Sequence, residues 1–237
     1  MLPELPRSDW SPALAAHLLN RAGFGATPGE IRAAAARAPG EVVEELIQFE
    51  AILESPAPPA FALLEGVDQR PRPRELRSLT QEERQQRQRE ERMRQGERIV
   101  ELRGWWIERM RSTRRPLQEK LTLLWHGHFA TGMEKVRNAY PMYLQNQTLR
   151  THCAGNIEAL VTAVAQDPAM LIYLDNAQSR PQQPKENFAR ELMELFTLGE
   201  GHYSEDDIKN AARAFCGWTL RPDSFRFADL PGRRDTG

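Results

Sequence analysis

Residues 11–28 read SPALAAHLLNRAGFGATP and carry the same start signal twice, Ser11 before Pro12 and Thr27 before Pro28. A hydroxyl at the N-cap accepts a hydrogen bond from an otherwise orphaned backbone N–H. Proline at the first helical position brings a φ that is already helical and no N–H to leave unpaired. Asp167 before Pro168 repeats the pattern, and Gln183 before Pro184 takes it in a weaker form. Ser204, with Asp207 three residues on, imitates a capping box, and Glu205 and Asp206 add negative charge where the helix dipole favours it. No convincing run of alternating β-branched residues interrupts these starts. The expected fold is therefore all-α, an irregular multi-helix domain spanning residues 1–237.

Working along the chain, the pattern predicts helices at 11–21, 28–38, 40–54, 117–127, 134–152, 155–166, 168–175, 184–198 and 204–217. Prolines crowd the passage from Ser55 to Pro73, which makes 55–79 the expected linker. A long charged helical arm is expected over 78–103. Glu83 with Arg87, and Glu90 with Arg94, are spaced i, i+4 in the favourable orientation, so the first half of the arm can be helical while projecting into solvent. From Ile99 onward, Ile99, Leu102, Trp106 and Met110 recur every three to four residues, the mark of a helix joining the core before Pro116 ends it.

The chain has 237 residues, with 32 basic and 33 acidic side chains and 40% apolar residues. That length can bury a core without disulfide or metal staples. Two cysteines, Cys153 and Cys216, make no disulfide framework and read as core thiols or one optional bridge. No apolar run is long enough to span a membrane. The N-terminus MLPELPRSDW lacks the basic and apolar regions of a signal peptide, so the expected location is cytoplasmic. Residues 70–115 hold fifteen Arg and eight Glu, a net charge of +7. Such a segment beside Trp105 and Trp106 invites nucleic acid or anionic lipid, but the interleaved Glu would repel phosphate, and neither partner is expected.

Chemistry has two candidate locations. In LQEKLTLLWHGHF, 117–129, a helix places Leu117, Leu121, Leu124 and His128 on one stripe and His126 on the adjacent polar face, with Gly127 expected to end the helix. The functional reading makes His126 and His128 metal ligands or acid/base groups. The competing reading makes them hydrogen-bonded structural histidines, since i and i+2 point to opposite sides of a helix. In PKENFARELMELFTL, 184–198, Phe188, Leu192, Leu195 and Phe196 form the expected core face. Asn187, Glu191 and Glu194 share another arc beside Arg190. Two carboxylates at i, i+3 can hold a divalent cation with an amide oxygen, or share a proton so that one acts as a general acid. The alternative is a surface ladder of Glu186, Arg190 and Glu194. Arg21 and Phe24, near Gly23 and Gly25, read as a tight turn between helices, and Trp218 and Phe225 as core or interface aromatics. No nucleophile elbow, dinucleotide or phosphate loop, or H-E-x-x-H motif is present.

Six blocks give the chain a resemblance: HLLNRAGFGAT at 17–27, EKLTLLWHGHFAT at 119–131, VRNAYPMYLQNQTLR at 136–150, DPAMLIYLDN at 167–176, ENFARELMELFTLGEG at 186–201, and Tyr203 to Trp218 ending in CGW. In this order they resemble the N-terminal half of a longer bacterial family, domain of unknown function 1800. His126, His128, Asn187, Arg190, Glu191 and Glu194 fall inside these blocks, whereas Lys185 and Cys216 depart from the residues common there. The resemblance implies possible export and a partner related to sulfatases and phosphatases, but no mechanism. Two functions emerge as expectations. One is a hydrolase-like, metal-assisted or acid/base enzyme in which Glu191, Glu194, His126 and Arg190 carry the chemistry. In that enzyme a divalent metal would sit on His126, His128, Asn187, Glu191 and Glu194. The other is a non-catalytic helical partner that docks the sulfatase/phosphatase-related protein.

Overall fold

The computed structural model describes residues 5–69 and 79–235, so residues 70–78 of the expected linker and the first residue of the expected arm lie outside the described residues. Among the described residues the fold is mostly helical, with one small two-stranded sheet. Two compact units divide the chain: Met1–Ala57 with Gly104–Leu124, and Pro58–Arg103 with Trp125–Gly237. Of the three crossings, the first falls in the loop at 57–58 and the other two inside helices, α4 (Gln81–Ser112) and α5 (Pro116–His128).

In the first unit the three opening helices are α1 (Pro12–Ala22), α2 (Pro28–Ala36) and α3 (Pro39–Ile47). Ser11 caps α1 through the N–H of Leu14 and Thr27 caps α2, as the sequence predicts; Thr27 also forms a full capping box with Glu30. Ala15, Ala34 and Val42 are buried against Trp10, Leu18, Leu19, Ile31 and Leu46. The third helix stops at Ile47, short of the expected 54, and is succeeded by a 3₁₀ turn at Phe49–Ala51. Gly23 sits where an added Cβ would meet Cβ of Pro116 at 3.0 Å, so its lack of a side chain permits the close approach of the α1–α2 turn to α5.

The second unit holds the larger core. Phe129, Leu149, Leu160, Met170, Leu171, Phe188 and Leu220 are fully or nearly fully buried. They come from the end of α5 and the elements beyond it: α6 (Met133–Val136), α7 (Ala139–Thr151), α8 (Ile157–Ala165), α9 (Pro168–Tyr173), α10 (Glu186–Glu191), α11 (Glu205–Ala214), and a hairpin of β1 (Trp218–Leu220) and β2 (Phe227–Asp229). The hairpin pairs Thr219 with Ala228. Its strands of three residues are too short to show as an alternating run in the sequence.

Several expectations need correction. The predicted helix 134–152 breaks at Arg137, whose φ is 56°, and restarts from Asn138, whose Oδ1 accepts the N–H of Tyr140. Proline explains the break: in a continuous helix the Pro141 ring would clash with the carbonyl of Arg137, four residues back. Gln183 is no cap, because it pairs through its backbone with Arg180 in a turn and the helix starts only at Glu186. The Glu83–Arg87 and Glu90–Arg94 pairs are replaced by other bonds: Glu83 closes a capping box on Thr80, Gln86 donates to Glu90, and Arg94 pairs with Glu91. Within the expected linker, Phe61 is buried and its N–H donates to Glu101 of α4. Residues 81–90 of the arm are exposed, whereas Gln95 and Leu102 are buried. Cys153 and Cys216 are buried and form no disulfide, and Phe225 is a core aromatic with Trp218 packed on the same core.

Candidate functional site

Helix α5 runs through Gly127 to His128 rather than ending at the glycine. Its buried face is polar. Gln118, Glu119 and Thr122 are buried, while Leu124, expected on the core stripe, is 59% exposed. Glu119 has no exposure at all; it accepts from the Trp106 indole N–H at 2.9 Å and pairs with Arg109, both on α4. Burying a carboxylate is costly unless it is paired and hydrogen-bonded, and these two donors satisfy that need.

The histidines at the end of α5 are both engaged. The Nε2 of His128 lies 3.1 Å from the carbonyl oxygen of Phe196. A carbonyl can only accept, so Nε2 carries the proton and has no lone pair to offer a metal. The ring packs edge-on to Trp125 and Phe129. His126 is half-buried, with Nε2 3.2 Å from the side-chain amide nitrogen of Asn146 on α7; that nitrogen donates and the ring nitrogen accepts.

Helix α10 continues as a π-helix, Leu192–Thr197. The N–H of Leu198 reaches back to the carbonyl of Met193, and the Thr197 hydroxyl donates to the carbonyl of Leu192. A wider turn rotates every later residue away from its α-helical position. Phe188 and Phe196 are buried as expected, but Leu195 is 59% exposed and Leu198 is exposed as well. Arg190 makes a bidentate pair with Glu205 of α11, at 2.8 and 2.9 Å, and lies 3.6 Å from Glu186. The Glu205 hydrogen bond and the nearby carboxylates raise its pKa further, while Glu205 is held below the usual carboxylate range. Glu194 accepts the Tyr203 hydroxyl at 2.7 Å, which pushes the phenol up to about 12. Glu191 is half-buried and Asn187 exposed, and neither side chain is bonded to another group among the described residues.

The two candidate stretches therefore meet, but through the His128 ring and the backbone and ring of Phe196. Neither Glu191 nor Glu194 bonds to a histidine, and among the described residues no group of three or more His, Cys, Asp or Glu is placed to hold a metal ion. Arg21 is exposed, and Phe24 lies under the ammonium of Lys120, 5.1 Å from its ring centre.

Two features were not predicted from the sequence. The first is the burial of Asp167. It caps α9 by accepting the N–H groups of Ala169 and Met170, and the same oxygen also accepts from Gln145 at 3.2 Å. The other oxygen is buried without a hydrogen-bond partner in the protein, and burial pushes the carboxyl up to about 7. The second is a cleft of about 1200 Å³ in the second unit. It lies between α4, the loop 65–69, the α6–α7 turn and the tip of the hairpin. Its floor is tied together where the N–H of Phe225 donates to the carbonyl of Asp68. Seven arginines and four acidic residues line it.

The chain belongs to the family described as protein of unknown function, DUF1800, whose model matches residues 17–237. No curated protein and no solved structure matches it. Among the described residues, no helix is long and apolar enough to cross a membrane.

Proposed function

We propose that this protein acts as a non-catalytic helical partner that docks another protein through the charged face of α4, the second of the two functions expected from the sequence. One observation carries the choice over a hydrolase-like or metal-assisted enzyme: most of the groups suited to chemistry are already bonded within the fold. Arg190 is held by Glu205, Glu194 by Tyr203, His128 by the Phe196 carbonyl and His126 by Asn146. The first two of these bonds are charge-assisted and orient a surface helix. They leave little for a reacting substrate or cation unless they break. By contrast, residues 81–90 of α4 are all exposed and carry three Arg and three Glu interleaved with Gln, a polar, charged surface of the kind that steers and orients a partner. The sulfatase/phosphatase-related protein implied by the family resemblance is the partner to test.

The test mixes the full chain with that protein and monitors the complex by size-exclusion chromatography. A complex should form and should survive Glu191→Gln with Glu194→Gln. It should be lost, with the melting temperature unchanged, when Arg87, Arg89 and Arg92 are all changed to Glu. Loss of the complex in the carboxylate pair, or hydrolysis of p-nitrophenyl phosphate, sulfate or acetate that falls in Glu191→Gln, would overturn the reading in favour of the enzyme.

A further inference from the structure

We infer that the arginine-lined cleft of the second unit binds an acidic, extended peptide segment of the docked protein. The inference rests on the docking reading above and supplies the recognised chemistry.

Four of the seven arginines, Arg84, Arg87, Arg94 and Arg98, come from α4. Their spacing of three, seven and four residues places them on one side of a helix, where i, i+3 and i+4 positions are neighbours. Arg137 faces them from the α6–α7 turn, and Arg221 and Arg226 from the hairpin. Against these stand Glu65, Asp68, Glu91 and Asp223, so the lining carries a net charge of +3. Glu91 is already occupied by Arg94 and Gln95. The guanidiniums of Arg87, Arg98 and Arg226 make no hydrogen bond or ion pair among the described residues. A guanidinium offers a planar fork of donors that fits a carboxylate with two parallel hydrogen bonds. Three such forks around one cleft form a receptor for several carboxylates.

The backbone points to the same place. Arg137 has a φ of 56°, in the left-handed region that a long side chain rarely occupies. A fold that needed only the turn would be better served there by Gly or Asn. Keeping an arginine in a strained conformation at the rim of a cleft is the kind of cost associated with recognition sites.

The dimensions select a peptide. From Arg84 to Arg98 a helix rises roughly 21 Å, and an extended chain covers that distance in about six residues at roughly 3.3 Å each. The cleft exceeds the roughly 300–1,000 Å³ of common small-molecule pockets. Nucleic acid fits less well, because Glu65, Asp68 and Asp223 would face a continuous row of phosphates. A peptide can place its backbone N–H groups or a basic side chain against those acids.

The probe is fluorescein-labelled hexaglutamate, titrated with the full chain at low salt and read by fluorescence anisotropy. Hexaglutamine and hexathymidylate with the same label are the controls. The expected result is saturable binding of hexaglutamate that weakens with salt and falls by about tenfold or more in the triple variant Arg87→Ala, Arg98→Ala, Arg226→Ala. Arg190→Ala, outside the cleft, should bind as the unchanged chain does, and the circular-dichroism melt of the triple variant should show that it remains folded. If the triple variant does not fold, Arg87→Gln with Arg98→Gln on α4 makes the same test. Binding of hexaglutamate that ignores both variants, no binding at all, or tighter binding of hexathymidylate would each overturn the peptide site. The two proposals fail separately. A complex that forms while hexaglutamate does not bind removes the cleft and keeps the docking. Hexaglutamate binding without a complex leaves the cleft standing and removes the proposed partner.

Discussion

Helix α5 and the Glu186–Thr197 helix place their polar faces oppositely. Helix α5 buries Gln118, Glu119 and Thr122 and leaves Leu123 and Leu124 exposed. Helix α10 with its π extension buries Phe188 and Phe196 and carries Arg190, Glu191 and Glu194 at least partly in solvent. Both stretches show the helical period in sequence, so the period separates the faces of a helix without saying which one faces inward. The neighbour makes that choice. Trp106 and Arg109 offer Glu119 two donors, and a charge satisfied that way can be buried where a leucine is left outside.

Glu119→Ala would break this contrast most severely. It leaves the Arg109 guanidinium, itself nearly buried, with Glu54 at 3.9 Å as its remaining carboxylate partner among the described residues. The expected loss is about 3–5 kcal/mol of stability in urea unfolding. A loss below about 1 kcal/mol, within the usual worth of a surface pair, would show that the polar face of α5 is not the one that matters.

Asp167 sharpens the same point through pH. Its folded-state value is about 7, above the ordinary 3.8, so between about pH 4 and 7 the folded chain holds a proton that the unfolded chain releases. The contribution is therefore complete below about pH 4 and is lost as pH rises through 7, by an amount on the order of 4 kcal/mol. Asp167→Asn keeps the cap on α9 and removes the titration. Denaturation midpoints measured from pH 4 to 8 should slope less for this variant than for the unchanged chain, and equal slopes would contradict the assignment.

A smaller effect is expected where the sequence placed a core leucine and the structure exposes one. Leu124→Gln should change stability by no more than about 0.5 kcal/mol, as for other surface positions. Smaller still is the surface bond of Glu194. Ultraviolet titration of the tyrosines should show one phenol near 12 in the unchanged chain, and Glu194→Gln should move that phenol back toward its ordinary 10. An unmoved titration would mean that Glu194 is available for other chemistry.

How much the sequence revealed depends on how local each signal is. Ser11, Thr27, Asp167 and Ser204 all cap helices as read, because a cap is made by residues two or three positions apart. The break at Arg137 had its cause four residues away in Pro141, within reach of the same kind of reading. The π turn left no compositional mark, since its bonds run from residue to residue five apart whatever the side chains are. That turn carried Leu195 out of the expected core. Of the candidate site, the residues themselves were legible but their partners were not: Glu205, Tyr203, Asn146 and the Phe196 carbonyl come from other elements. The cleft was half legible. The arginines of α4 could be read from their spacing, whereas Arg137, Arg221 and Arg226 join them only through the fold.

The claim on which the rest depends is that His126, His128 and Glu194 are held by bonds within the fold and that none of them, nor Glu191, holds a metal. Elemental analysis of the purified chain, paired with its melting temperature before and after EDTA and then with Zn²⁺, Mn²⁺ or Ca²⁺ added, tests it most directly. A ligand that binds only the folded state must stabilise it. The account predicts no stoichiometric metal and no shift in melting temperature. A metal present at one per chain, whose removal lowers the melting temperature and whose return restores it, would contradict the account and return the histidines and glutamates to an active site.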